Sequence, residues 1–281
     1  MDLSFFRADG AALVPTELAQ SMWDANQMHG VAVSGALGRA LERSVADLGR
    51  HDLRPARLTV DLFRPATMDP CETTTTVVRE GRRICLVDAV LTQGAVAVAV
   101  ARASAVFLAP SADPEGDVWS PDDRPVPPPE NVAPPTDVPH VPFFHSEDAG
   151  WSQQFGDHQN GSRKRSWNSA IPIVAGESIT PFQAAAAVAD GASLVTNWGS
   201  GGVQHINTDI TLTLARRPEG VEIGLAAVDR VESDGIAVGT VAVFDRRGPL
   251  GTAVVTALAN AHRTVDMGGI EYQDDGSRRS R

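Results

Sequence analysis

Residues 182–195 read FQAAAAVADGASLV, alanine and valine over a helix length with one carboxylate, Asp190, among them. A run apolar almost all the way round is a buried helix. An ionised carboxylate inside it is costly unless it is paired or kept wet. Partly apolar surroundings raise a carboxylate's pKa, which suits Asp190 to take a proton from water as a general base. Gly191 follows it, at a cost of about 1 kcal/mol in helix propensity relative to alanine. A glycine there fits close approach by another group, or tolerance near a helix end. The plainer alternative for Asp190 is a polar residue at a solvent-facing seam. A second candidate is His29-Gly30, which opens another helix-like run, GVAVSGALGRALERSVADLG (30–49). At a helix start, free backbone N–H groups and the helix dipole favour an anion.

The elements that must position these residues are set by composition and period. The chain has 281 residues and a net charge of −11, which argues against a nucleic-acid partner. Two unspaced cysteines, Cys71 and Cys85, make neither a disulfide scaffold nor a zinc site, and a reducing cytoplasmic setting is expected. MDLSFFRADG lacks a signal-peptide pattern, and the most apolar stretch, AVAVAVARASAVFLA (95–109), alternates like a strand and is interrupted by Arg102. A membrane span is therefore not expected. There is no metal-ligand set or flavin fingerprint, and GSGG (199–202) precedes a strand rather than the helix a phosphate cradle needs, so it reads as a flexible loop.

Segment 110–142 holds 11 of the 19 prolines and has no apolar period, so it reads as an extended linker. The two parts it separates repeat one another. LTVDLFRP (58–65) and ITLTLARRP (210–218) are alternating strands ending in Arg-Pro. From Pro65 to Gly81 is 16 residues and from Pro218 to Gly235 is 17, while Gly81 to Gly94 and Gly235 to Gly248 are both 13. Upstream of each Arg-Pro strand lies one apolar helix. The spacing predicts a duplicated unit of a short strand pair, one long helix and several antiparallel strands.

This layout resembles the double-hotdog acyl-CoA thioesterases, the thioesterase II-like family. The resemblance rests on PIVAGESITPFQAAAAVADGASLV, INTDITLTLARRP (206–218) and DRRGPLGTAVVTALA (245–259) in the second half, and on MHGVAVSGALGRALE (28–42) and LTVDLFRP in the first. It implies an α+β fold of two hotdog domains in tandem, each an antiparallel sheet wrapped around one long central helix. The sheets are expected to join edge to edge with the helices side by side. The boundaries follow as an N-terminal domain at 1–109, a Pro-rich linker at 110–148, a C-terminal domain at 149–264 and a polar, disordered tail at 265–281.

The implied activity is hydrolysis of acyl-CoA thioesters to free acid and coenzyme A. The implied partners are an acyl-CoA substrate, with no cofactor beyond its coenzyme A, and further copies of the chain in a homodimer or larger assembly. The outer sheet face of such strands as TTTTVV (73–78) is apolar enough on one side to be covered. Asp190 matches the family's acid. Counting back 28 residues from Pro65, as Asp190 lies from Pro218, lands on Leu37, so only one half carries it. His29 and Gly30 fall where related enzymes bind the thioester oxygen. Asn207 and Thr208 fall where the family places an amide or hydroxyl beside the base. The family's water-holding glutamine is replaced by Val255, or by Thr256 in the next register, which leaves a weak or inactive acyl-CoA-binding protein open. A second alternative comes from DANQMH (24–29), which resembles the aspartate, asparagine and histidine of hotdog enoyl-CoA hydratases, with Gln27 in place of the motif's proline.

Overall fold

Strands form where the period of two predicts them, and the computed structural model, which describes residues 3–272 and 278–280, joins them into one large antiparallel sheet. The first half supplies β1 (Phe6–Asp9), β2 (Ala12–Pro15), helix α1 (Gly30–Asp47), β3 (Arg54–Asp61), β4 (Cys71–Glu80), β5 (Ile84–Gln93) and β6 (Val98–Leu108). The second begins with β7 (Phe143–Ser146), β8 (Gly150–Ser152) and β9 (Arg165–Ser169), then helices α2 (Pro181–Val188) and α3 (Gly191–Asn197). A small ribbon, β10 (Trp198–Gly199) and β11 (Gly202–Val203), leads to β12 (His205–Asn207), β13 (Asp209–Leu214), β14 (Glu222–Ser233), β15 (Ile236–Asp245) and β16 (Gly248–Ala259).

The strand order is β1-β2-β4-β5-β6-β3-β13-β16-β15-β14-β9-β7-β8, with β12 also alongside β16. Around its middle this order is a mirror: outward from the β3–β13 pair lie β6, β5, β4 on one side and β16, β15, β14 on the other. The repeat read from the glycine spacing is thus a repeat of strands. At the join, Thr59 stands opposite Thr211 with their hydroxyls 3.3 Å apart. The pairing covers two edges that would otherwise be open to another chain.

Helices α1 and α2 pack side by side and antiparallel. Gly30, at the start of α1, reaches Asp190 beyond the end of α2. Further along α1, Glu42 accepts hydrogen bonds from Thr180 Oγ1 (2.7 Å) and Gln183 Nε2 (2.8 Å) at the start of α2. Small residues make this seam possible. A Cβ on Gly38 would stand 2.6 Å from the Ala186 Cβ, and one on Gly35 would stand 3.2 Å from the Ala187 Cβ. Ser34 Oγ donates to the Ala186 carbonyl at 2.6 Å, and Arg39 holds both oxygens of Glu177 at 2.6 and 2.5 Å. The alanines 184–187 are buried in the core with Leu37, Leu41, Leu58, Leu212 and Val255.

The structure corrects four expectations. The second half does not carry one unbroken helix: α2 and α3 are separated at Ala189–Asp190. The Arg-Pro strands stop short of their prolines, β3 at Asp61 and β13 at Leu214. The stretch assigned to the linker includes β7, which pairs with β9, so the chain is back in the sheet at Phe143. The tail is packed at its start: Val265 pairs with Val203 and Met267 is buried. Ile270–Tyr272 pairs with Arg278–Ser280, while tail residues 273–277 and 281 lie outside the described residues. No helix among the described residues is long and apolar enough to cross a membrane.

Candidate active site

Asp190 sits where the helix tightens. Upstream, the Ala189 N–H bonds to the Ala185 carbonyl four residues back at 2.9 Å. From there the spacing drops to three, with Asp190 N to Ala187 O at 3.4 Å, Ala192 N to Ala189 O at 3.0 Å and Ser193 N to Asp190 O at 3.1 Å. The backbone stays helical, Asp190 having φ −61° and ψ −29°. A single tight turn of this kind in mid-helix is a common mark of a functional position.

The carboxylate meets three groups brought from two other elements. Asn207 Nδ2, at the end of β12, donates to Asp190 Oδ1 at 2.9 Å. The Val31 N–H, in the first turn of α1, also donates to the carboxylate. Gly30 lies against it so closely that a Cβ there would be 2.2 Å from Oδ1. Burial pushes the Asp190 pKa up to about 6, against the lowering effect of the Asn207 amide and the Val31 N–H. Desolvation therefore outweighs the two donors, and the group can gain and lose a proton near neutrality. The Gly30 N–H itself has no partner among the described residues. It is one of the donors that a helix leaves unused in its first turn.

Asp190 and Asn207 face a cavity of about 390 Å³ whose apolar wall includes Met22, Trp23, Phe144, Phe155, Leu194 and Met267. Such a space suits an apolar chain with a few polar groups to orient it. Both halves build it, because β9, α2, α3 and β12 come from the second and the Leu18–Val31 segment from the first.

Of the residues expected at a site, Asp190, Gly30 and Asn207 come together, Asp190 and Asn207 in the cavity wall and Gly30 against the carboxylate but outside that wall. His29 lines the cavity, but as the cap of α1. Its Nδ1 accepts the Ala32 N–H at 3.0 Å, so the proton resides on Nε2, which donates to the Leu18 carbonyl at 2.8 Å. Thr208 does not join the cavity wall; its hydroxyl meets the Thr256 carbonyl at 3.2 Å and Asp209 Oδ2 at 3.3 Å. Asp24 is also outside that wall, with Oδ1 accepting the Asn26 N–H at 2.9 Å. Neither Val255 nor Thr256 lines the cavity, and Val255 is fully buried in the core.

Sequence reasoning missed His140, Asn168 and His205, all of which line the cavity. His140 lies in the proline-rich segment, where no periodicity could flag it. Its Nδ1 donates to the Val141 carbonyl at 2.8 Å, and its buried Nε2 has no partner. Asn168 is held on β9 by bonds from Nδ2 to the Ile223 carbonyl and Ser166 Oγ, both 3.0 Å. A carboxylate with a raised pKa, an unused helix N–H beside it and an apolar cavity can together activate water and receive a developing oxyanion.

The fold is shared with a tesB protein from Mycobacterium avium subs paratuberculosis, 16% identical with a TM-score of 0.61 over 90% of this chain and 94% of that one. It is shared too with an acyl-CoA thioesterase II, TesB2, from Mycobacterium marinum, 14% identical with a TM-score of 0.57 over 90% and 94%. A third similar structure is a hot dog fold protein from Alicyclobacillus acidocaldarius, 18% identical with a TM-score of 0.61 over 90% and 95%. No curated protein matches the sequence. The family model for the acyl-CoA thioesterase N-terminal domain matches residues 19–108, and that for the C-terminal domain matches residues 114–259. Matched in that order over most of its length, the chain belongs to the acyl-CoA thioesterase family of enzymes.

Proposed function

We propose that this protein hydrolyses acyl-CoA thioesters to free acid and coenzyme A on a single site per chain, with Asp190 as the general base. The fold reading that goes with it is two hotdog domains in tandem, whose sheets meet at β3 and β13. The observation that carries the proposal is the meeting of Gly30, Asp190 and Asn207 across the two halves. In this mechanism the thioester oxygen accepts the Gly30 N–H. Asp190 takes a proton from water while the water oxygen bonds to the acyl carbon. The tetrahedral intermediate then expels the coenzyme A sulfur, the C–S bond breaks, and the thiolate takes the proton held by Asp190 to become the free thiol, which restores the carboxylate. Asn207 fixes the carboxylate's orientation and keeps its pKa from rising further. No cofactor is needed beyond the coenzyme A carried by the substrate.

The hydratase alternative loses ground because both ring nitrogens of His29 are engaged within the fold, which leaves no free acid or base at that position. The assembly we propose is a homodimer or larger oligomer. The test of function is a panel of acyl-CoA thioesters of different chain length, with free-thiol release measured for the wild type and Asp190→Asn. Thiol release by the wild type that the substitution abolishes supports the proposal. Turnover unchanged by the substitution would sink the mechanism.

A further inference from the structure

A water held by a single carboxylate is free to swing about it, and a second contact is needed to aim its lone pair at an acyl carbon. No residue of β16, Val255 and Thr256 included, lines the cavity at Asp190. Other polar side chains of the wall are engaged elsewhere. Both ring nitrogens of His29 are bonded within the fold, Ser169 Oγ donates to the Val138 carbonyl at 3.2 Å, and Asn207 gives its Nδ2 to Asp190 itself. Ser193 differs. It lines the cavity and is 7% exposed, and its hydroxyl makes no hydrogen bond with the described residues. Four buried side-chain polar atoms among those residues lack a partner, His140 Nε2, Asn197 Nδ2, Trp198 Nε1 and His205 Nε2, and the Ser193 hydroxyl is not one of them. It therefore reaches open space, and the space that Ser193 lines is the cavity at Asp190.

The tightened turn brings this hydroxyl to the base. In an α-helix, side chains three positions apart are offset around the axis, whereas in a three-residue turn they eclipse. The turn that opens at Asp190 is of the second kind, with the Ser193 N–H on the Asp190 carbonyl at 3.1 Å and the Ala192 N–H on the Ala189 carbonyl at 3.0 Å. The Asp190 ψ of −29° is also that of the tighter helix. Ser193 thus stands one turn above Asp190 on the cavity side of α3. Side chains at this spacing have Cβ atoms about 5–6 Å apart. One water that makes two hydrogen bonds of about 2.8 Å fits between their polar ends. Asn168, by contrast, hangs from β9, with its Nδ2 on the Ile223 carbonyl and Ser166 Oγ.

We infer that Ser193 is a further catalytic residue, whose hydroxyl holds the attacking water against Asp190. The water donates one hydrogen to the Asp190 carboxylate and the other to Ser193 Oγ, which leaves a lone pair free for the acyl carbon. As the O–C bond forms, the proton facing Asp190 passes to the carboxylate, and the one on Ser193 stays with the oxygen that becomes part of the acid. The role presupposes the hydrolysis proposed above and adds to it the group that orients the nucleophile.

Ser193→Ala tests it, because the change removes the hydroxyl, breaks no side-chain bond of the fold and installs a better helix former. Free-thiol release is measured for the wild type, Ser193→Ala, Asp190→Asn and the double variant, on the acyl-CoA thioester that the wild type turns over fastest. The expected result is a kcat about 10–100-fold lower in Ser193→Ala, with KM within about twofold of the wild type. The double variant should be no more than about twofold slower than Asp190→Asn alone, because both residues act on one water. A purely structural hydroxyl would slow both backgrounds alike, and that outcome overturns the inference. So does a raised KM with kcat kept, which marks a contact with the thioester rather than with water. A melting temperature lowered by more than a few degrees in Ser193→Ala also overturns it. If Asp190→Asn is slowed while Ser193→Ala matches the wild type, the role of Ser193 falls and the hydrolysis reading stands. No thiol release by the wild type from any thioester sinks both.

Discussion

At the scale of the residue, Asp190 is caught between two demands. Burial raises its pKa from the usual 3.8 to about 6. We expect the hydrolysis rate to fall as pH drops through about 6, because the proton-accepting form is lost there. Asp190→Asn should lower the rate at neutral pH by roughly 10²–10⁴-fold with thioester binding little changed, as rates and binding measured together will show. The same shift has a cost in stability. The folded state holds the Asp190 proton more tightly than the unfolded chain does, so this contribution is present in full below pH 3.8 and is lost as pH rises through about 6. At neutral pH the ionised group then opposes folding by on the order of 2–3 kcal/mol. Asp190→Asn should accordingly raise the melting temperature by a few degrees at pH 7 and by much less near pH 4. A variant that loses activity while gaining stability is the signature of a functional rather than a structural carboxylate.

At the scale of the element, the site depends on how closely α1 and α2 approach. The glycines of α1 and the alanines of α2 set that distance, and Glu42 with Thr180 and Gln183 sets the sliding register. Gly30→Ala places a methyl where the Asp190 carboxylate now lies. Only a side chain must move to accept it, so circular dichroism should show a folded protein while turnover drops by about tenfold or more. Val255 on β16 makes the opposite case. The family's glutamine would fall there or at Thr256, yet Val255 is fully buried among apolar neighbours and away from the cavity. Val255→Gln should therefore destabilise the fold by about 1–3 kcal/mol in denaturant titrations, with no gain in rate.

At the scale of the whole molecule, the continuous sheet leaves an apolar strip on its outer face. Val231 pairs with Val238 and Ile236 with Leu258 across neighbouring strands, and all four are exposed. Val77 and Val78 on β4 are exposed on the other half. Light scattering at micromolar concentration should return a mass of at least two chains. Charged substitutions at Val231 and Val238 should lower that mass if this strip is the contact.

Period and spacing alone determined that the strand pattern of this chain occurs twice, because alternation every second residue and turn glycines at fixed intervals are local properties of the chain. They also singled out Asp190, since one carboxylate in an alanine run conflicts with its surroundings whatever the fold. Tertiary structure decided the rest. The tightened turn at Asp190 is invisible in the sequence, because alanine and valine suit either hydrogen-bond spacing. The engagement of His29 as a cap, against its acid-base alternative, depends on the Leu18 carbonyl arriving from another turn of the chain. His140 and His205 reach the cavity from a proline-rich segment and a three-residue strand, where no period exists to point at them. The contact of Gly30 with Asp190 joins residues 160 positions apart, and only the antiparallel packing of two small-residue helices brings them together.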